Sequence, residues 1–157
     1  MHRTQSMLVR DIATRPVVTV ERHTTLAACA ERMRTCHVGS LVVVERSGRQ
    51  ERPVGLVTDR DIVVEAVAQS VDPASLAAAD VMVAPVATID ANDDLVDALA
   101  RMREQGLRRL AVVDAEQALV GIVALDDVVA ALAQQFVAVA EVVAASRTKE
   151  AVTRPAG

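Results

Sequence analysis

The chain is poor in aromatic residues. Of its 157 residues only Phe136 is aromatic, and there is no tryptophan or tyrosine. Proteins that grip single-stranded nucleic acid stack bases on several rings, so this composition argues against that class. Positive charge is also short. Seventeen Lys and Arg stand against 21 Asp and Glu, a formal net charge of −4, so no strong basic field exists to draw a polyanion. Cysteine is limited to Cys29 and Cys36. If one helix carries both, their separation in sequence puts them about 10 Å apart, beyond the reach of a disulfide. The spacing of Cys29 and Cys36-His37 matches no common zinc pattern. Free thiols in a reducing compartment are the expectation, with a bridge between chains left open. His2, His23 and His37 are scattered and form no triad or metal-ligand spacing. No catalytic constellation and no metal site are predicted.

Long apolar runs are lacking too. The most apolar late stretch, residues 128–145, is interrupted by Gln134, Gln135 and Glu141. A membrane span needs about 20 mostly apolar residues, so none is expected. Residues 1–6 lead into no apolar run and carry no signal-peptide pattern. Cytoplasmic residence follows as the expectation.

What the chain has is aliphatic residues and a repeat. It is 52% hydrophobic, and a soluble domain of this size buries roughly 70% of its unfolded surface. Val, Leu, Ile, Met and Ala must build the core, and Val suits buried strands. Asp11 aligns with Asp80, Pro16 with Pro85, Thr19 with Thr88, Leu26 with Leu95, Met33 with Met102 and Val43 with Val112, always 69 residues apart. Between Gly55 and Gly121 the offset is 66, so the first copy has three extra residues in the polar, turn-rich stretch 46–53. Two copies point to pseudo-twofold packing rather than a solenoid.

Each copy reads as strand, helix, strand, strand, helix, an α+β unit. In copy one, residues 7–13 predict a helical lead-in and Arg15-Pro16 an extended approach. Residues 17–20 predict a strand, and Thr24 or Thr25 caps a helix with Leu26, Ala30 and Met33 on its apolar face. Residues 41–44 and 54–57 predict a hairpin. A helix from Asp59 is broken at Val71-Asp72-Pro73, and residues 74–84 predict a mostly helical crossover. In copy two the strands are 86–89, 110–113 and 119–123. Asn92 or Asp93 is the expected cap of a helix stopped by Gly106. The last helix is predicted over about 126–146. In it Leu125, Val129, Leu132, Phe136, Val139 and Val143 step by four and three, a heptad-type seam. A second stripe of Val128, Ala131, Ala138 and Val142 lies beside it. One face covers the helix's own sheet, and the other predicts a homodimer. The boundaries expected are 7–70 for the first unit, 71–146 for the crossover and second unit, and 147–157 for a polar, frayed tail.

The chemistry-bearing stretch is Val54-Gly55-Leu56-Val57-Thr58-Asp59-Arg60-Asp61-Ile62, echoed by Val120-Gly121-Ile122-Val123-Ala124-Leu125-Asp126-Asp127-Val128. Each is a short strand breaking into a helix. Thr58 sits at the N-cap position, where free N–H groups and the dipole suit a phosphate. Asp61, one turn on, has the geometry to accept hydrogen bonds from a ribose diol. The alternative is that Thr58 and Asp61 merely cap a helix.

The duplicated unit, with Gly-hydrophobic-hydrophobic-Thr-x-x-Asp at the end of its third strand, resembles the cystathionine-β-synthase (CBS) domain over residues 7–132. A tandem pair of these domains is called a Bateman module. His37-Val38-Gly39-Ser40-Leu41-Val42-Val43 and Gly106-Leu107-Arg108-Arg109-Leu110-Ala111-Val112 resemble the family's second-strand signatures. The resemblance implies two pseudo-twofold-related domains with two clefts between them, and a regulatory sensor rather than an enzyme. It implies an adenine nucleotide or adenosyl ligand (AMP, ADP, ATP, NAD or S-adenosylmethionine) and signalling to a protein partner in trans. The alternative is a ligand-free dimeric scaffold with degenerate clefts. The implied site residues are Thr58, Arg60 and Asp61 with the adenine-lining segments Pro16, Val17, Val18, Thr19 and Val86, Ala87. Ser40, Arg108, Arg109 and Asp127 complete the set. Copy one has Gly39-Ser40 where a basic pair would sit, and copy two has Ala124 where Thr would be. Each cleft is therefore expected to lack one phosphate-facing group, and the Thr58/Asp61 cleft is favoured.

Overall fold

A computed structural model describes residues 7–153 of the chain, with side chains described through residue 147. The signal-peptide reading of residues 1–6 and the last four residues of the tail fall outside that range. The first sheet holds β1 (Thr19–Glu21), β2 (Ser40–Ser47) and β3 (Gln50–Thr58) in the order β1-β2-β3. The second holds β4 (Thr88–Asp90), β5 (Arg109–Val113) and β6 (Leu119–Ala124) in the order β4-β5-β6. In each, the first pair is parallel and the second antiparallel. The duplication extends to register: Thr19 pairs with Val42 and Thr88 with Ala111, each 69 residues on.

Helices complete the units. They are α1 (Val9–Ile12), α2 (Leu26–Cys36), α3 (Asp59–Ile62), α4 (Ala78–Val81), α5 (Leu95–Gln105) and α6 (Leu125–Thr153), and a π-helical turn, Val63–Val67, continues α3. The α2 helix starts at Thr25, whose hydroxyl accepts from the Ala28 N–H. It ends at His37, which takes the left-handed conformation at φ 54°. Gly106 ends α5 in the same way, as predicted.

Several boundaries differ from expectation. The first strands begin two residues late, because ladder pairing starts at Thr19 and Thr88. The α5 cap is Asp94, not Asn92 or Asp93; its Oδ1 accepts from the N–H groups of Val96 and Asp97 at 2.8 and 3.0 Å. Asn92 instead donates its N–H to Asp90 in the preceding turn. Only Ala78–Val81 of the crossover is helical. The final helix runs seven residues beyond Ser146, since Arg147 to Thr153 contains good helix formers and no breaker before Pro155.

The lead-in segments are exchanged between the repeats. Val9 of α1 is fully buried in the second repeat's core with Ile89, Leu95, Ala98, Met102, Leu110, Val112, Val123 and Val128. Ala78 of α4 is fully buried in the first repeat's core with Val20, Leu26, Cys29, Met33, Leu41, Val43 and Val57. Backbone bonds mirror this exchange. Val9 N donates to Asp93 O, and Ala78 N donates to Thr24 O, both at 2.8 Å. Each sheet is covered on both sides, for Val42, Val44, Ala111 and Val113 are buried opposite the helix-facing residues. That is why the central strands read as unbroken apolar runs instead of alternating ones.

Candidate functional site

The exchange of lead-ins decides what meets at the ends of the third strands. After α4 the chain crosses to the first sheet, where Val83 and Leu56 trade backbone hydrogen bonds at 2.9 and 3.1 Å. After α1 it crosses to the second sheet, where Thr14 and Ile122 do the same at 2.8 and 3.3 Å. Residues following Val83 therefore lie against β3 of the other repeat.

A cavity of about 150 Å³ opens at this junction, lined by Leu56, Thr58 and Asp61 of the first repeat and Val83, Val86, Ala87, Leu107, Arg108 and Arg109 of the second. Seven of these are aliphatic side chains or arginine stems that form its walls; the polar ends belong to Thr58, Asp61, Arg108 and Arg109. Larger depressions, of about 650 and 520 Å³, lie elsewhere. One is confined to the first repeat around Thr19, Glu31, Thr35 and Arg46, and the other runs between the two hairpins. Neither brings the strand-end motif together with the second repeat's basic pair, so size alone does not select the site.

Thr58 and Asp61 form a closed cap. The Thr58 N–H and hydroxyl both donate to Asp61 Oδ2, at 2.8 and 2.7 Å, and the Asp61 N–H donates to Thr58 Oγ1 at 3.2 Å. The capping alternative is therefore real, but it uses one carboxylate oxygen. Asp61 Oδ1 takes no protein hydrogen bond among the described residues. Arg108 is exposed, and one of its terminal nitrogens lies 3.4 Å from Asp126 Oδ1. Arg109 is half-buried.

Of the sequence-predicted residues, Thr58, Asp61, Val86, Ala87, Arg108 and Arg109 share this cavity. Arg60 does not line it; it is exposed on α3. Pro16, Val17, Val18, Thr19, Ser40 and Asp127 do not line it either. The repeat register relates the lining to a second set: Thr14, Val17, Val18, Val38, Gly39, Ser40, Ile122, Ala124 and Asp127. In that set Asp127 Oδ2 accepts from the Ala124 N–H at 2.8 Å, the counterpart of the Thr58 cap without its hydroxyl. The expectation that each cleft lacks one phosphate-facing group is thus corrected. It compared groups within one repeat, whereas each cleft draws on both. Thr58, Arg108 and Arg109 fall on one cavity; their counterparts by repeat register are Ala124, Gly39 and Ser40. Leu56, Val83 and Leu107 were not predicted. Leu56 was available in principle, since it lies two residues from Thr58 on the same strand face.

This is a duplicated α+β module with exchanged lead-ins and a mixed apolar and charged cleft between its halves. The chain belongs to the CBS domain family, whose model matches residues 9–67 and again 78–134. It is 34% identical over 124 residues to an uncharacterized protein of Methanopyrus kandleri, covering 79% of this chain and 62% of that one. It therefore spans less than two thirds of that relative. It is 36% identical over 119 residues to Hypoxic response protein 1 of Mycobacterium tuberculosis, covering 76% of this chain and 80% of that one. A crystal structure of the hypoxic response protein with two coordinated zinc ions superposes with a TM-score of 0.67 at 34% identity, over 78% of this chain and 97% of the other. A CBS domain protein from Pyrobaculum aerophilum complexed with AMP gives 0.69 at 28% identity, over 77% and 89%. In the present chain Cys29 is buried, Cys36 is exposed and both are free. Among the described residues no three His, Cys, Asp or Glu side chains are placed to hold a metal ion together.

Proposed function

We propose that this chain is a regulatory CBS-pair protein of the cytoplasm, a binder rather than an enzyme. It takes one adenine nucleotide or related adenosyl ligand in the Thr58/Asp61/Arg108/Arg109 cleft and signals to a protein partner in trans. AMP, ADP, ATP, NAD and S-adenosylmethionine are the candidates. The observation that carries this reading is the convergence of a hydroxyl, a carboxylate and two guanidinium groups from both repeats on one apolar-walled cavity. The AMP complex of the Pyrobaculum relative supports it.

Each group has a chemical task. The aliphatic walls from Leu56, Val83, Val86, Ala87 and Leu107 suit a base. Asp61 Oδ1 accepts from a ribose hydroxyl. Arg108 and Arg109 supply charge-assisted, planar donors for phosphate, with the Thr58 hydroxyl beside them. The cavity is smaller than the roughly 300–1,000 Å³ of typical ligand pockets. A nucleotide therefore lodges its base inside and leaves its ribose and phosphates toward the mouth, the phosphates with the exposed Arg108. The ligand changes the partner's response only through its differential affinity for two arrangements of the repeats, typically about 1–3 kcal/mol.

Titration calorimetry with the five candidates tests this. The expected result is one ligand per chain, loss of heat in Asp61→Ala and unchanged heat in Asp127→Ala. Equal heats for Asp61→Ala and the unaltered chain would reject the assigned cleft. A second reading, a ligand-free dimeric scaffold, is favoured by Ala124, Gly39 and Ser40 at the other cleft. It predicts no thermal shift with any candidate, where a ligand at 100 times its Kd stabilises by about 2.7 kcal/mol.

A further inference from the structure

Beyond Leu132, α6 leaves the body of the molecule; Leu125 and Leu132 of its heptad seam still pack against the second repeat's core, and the rest of the seam is open. Val129, Phe136, Val139 and Val143 are 57, 74, 61 and 54% exposed. By length and composition alone, Leu125–Arg147 would also suit a membrane. The polar residues argue otherwise. Gln134, Gln135 and Glu141 fall inside that stretch, where polar and ionised side chains are costly in hydrocarbon, and with no Lys or Arg between Leu125 and Ser146 the helix also lacks the cationic face of one lying on a membrane. Apart from Glu141, on the opposite face, the charges sit at the two ends: Asp126 and Asp127 at the start, Arg147 at the end of the seam.

We propose that this seam pairs with the same seam of a second copy, antiparallel, with Asp126 of each copy beside Arg147 of the other. Heptad geometry fixes the register. Taking Val129, Phe136 and Val143 as one layer position and Leu132, Val139 and Ser146 as the other, an antiparallel pair sets Phe136 against Val139, Leu132 against Val143 and Val129 against Ser146. Asp126, Ala133, Ala140 and Arg147 then occupy the same flanking position. Opposite charges meet at both ends, and Ala133 meets Ala140 between them, where small side chains let the helices approach. A parallel pair would set Arg147 against Val142 and leave Asp126 with no cation, so the charge pattern selects the antiparallel arrangement. Asp126 is 80% exposed and Arg108 is its sole ion-pair partner among the described residues, so a carboxylate oxygen is available to a second cation. The pairing is independent of the nucleotide reading, although it brings the partner's helix to the rim of that cleft.

Sedimentation of the full chain tests the proposal. The expected species is a dimer, made at least tenfold weaker by Phe136→Glu. That variant alters a mostly exposed position, so the fold should hold by circular dichroism. Asp126→Arg and Arg147→Asp should each weaken the dimer at low salt, and the two together should restore it. In a background with Cys29→Ala and Cys36→Ser, Val129→Cys combined with Ser146→Cys should oxidise to a covalent dimer, while either alone should not. A dimer indifferent to Phe136→Glu would overturn the proposal, as would crosslinking by Val129→Cys alone, which marks a parallel pair. A monomer in buffer overturns it too, whether it floats with phosphatidylcholine vesicles, as a membrane helix would, or stays behind.

Discussion

Gly55 is where the exchanged lead-in presses hardest on the opposing sheet. A Cβ built there would overlap Met82 Sδ and lie 2.9 Å from Met82 Cγ and 3.2 Å from Met82 Cβ. Ordinary carbon contacts sit near 3.5–4.0 Å. The thioether can swing aside, but Met82 Cβ is tied to a backbone held by the Val83–Leu56 hydrogen bonds. Gly55→Ala should therefore destabilise the fold by about 1–3 kcal/mol, the usual range for overpacking. Met82→Ala alone removes a half-buried side chain and should cost about 1–2 kcal/mol, below the range for fully buried methionine. The two together should cost less than their sum by about 1–3 kcal/mol, because the truncated side chain vacates the space that the new methyl occupies. Copy two already has the arrangement of the Met82→Ala variant, with Ala13 opposite Gly121. Urea unfolding followed by far-ultraviolet circular dichroism suits a chain without tryptophan or tyrosine, at one protein concentration to hold any association constant. Costs that add to within about 0.5 kcal/mol would refute the contact.

The cap and the buried thiol give two further predictions. Asp94→Ala strips the acceptor from two N–H groups at the start of α5 and should cost about 1 kcal/mol in urea unfolding, more than Asn92→Ala, which removes no helix cap. Burial pushes the Cys29 thiol above its usual 9.0, so above that pH the unfolded chain releases a proton that the folded chain retains. Stability should fall with rising pH by up to about 1.4 kcal/mol per unit until the folded-state value is passed. Cys29→Ala should flatten that alkaline slope, and in the unaltered chain Cys36 should react first with a thiol reagent.

The repeat, the α+β units and the strand-end motif were legible because they rest on local pattern. Leu41 to Val44 and Leu110 to Val113 announce buried strands whatever they pack against. The exchange of lead-ins was not legible. Val9 and Ala78 look the same in sequence whether they cover their own sheet or the other, and only the crossing of the chain settles which. The membership of the clefts failed for the same reason, since Arg108 and Thr58 lie 50 residues apart in different copies. The α5 cap was misread because Asn92, Asp93 and Asp94 are all competent caps. Tertiary contact with the Met7 segment, which takes the Leu95 N–H on its carbonyl at 3.3 Å, fixes where the first turn begins.

The divergence between the copies has a pattern that bears on function. Three position pairs differ in their capacity for phosphate: Thr58 and Ala124, Arg108 and Gly39, Arg109 and Ser40. Had one repeat simply lost its polar groups, its Thr position and its basic pair would have been lost together, and the losses would fall on different clefts. Instead the Thr is kept in the first repeat and the arginines in the second. Because the lead-ins cross, those choices converge on one cavity. On the proposed reading the unit that has been specialised is the cleft, not the repeat. A pure scaffold has no use for that distinction, since packing alone is served by the apolar residues that both copies share. The proposed binding of one anionic ligand per chain makes use of it.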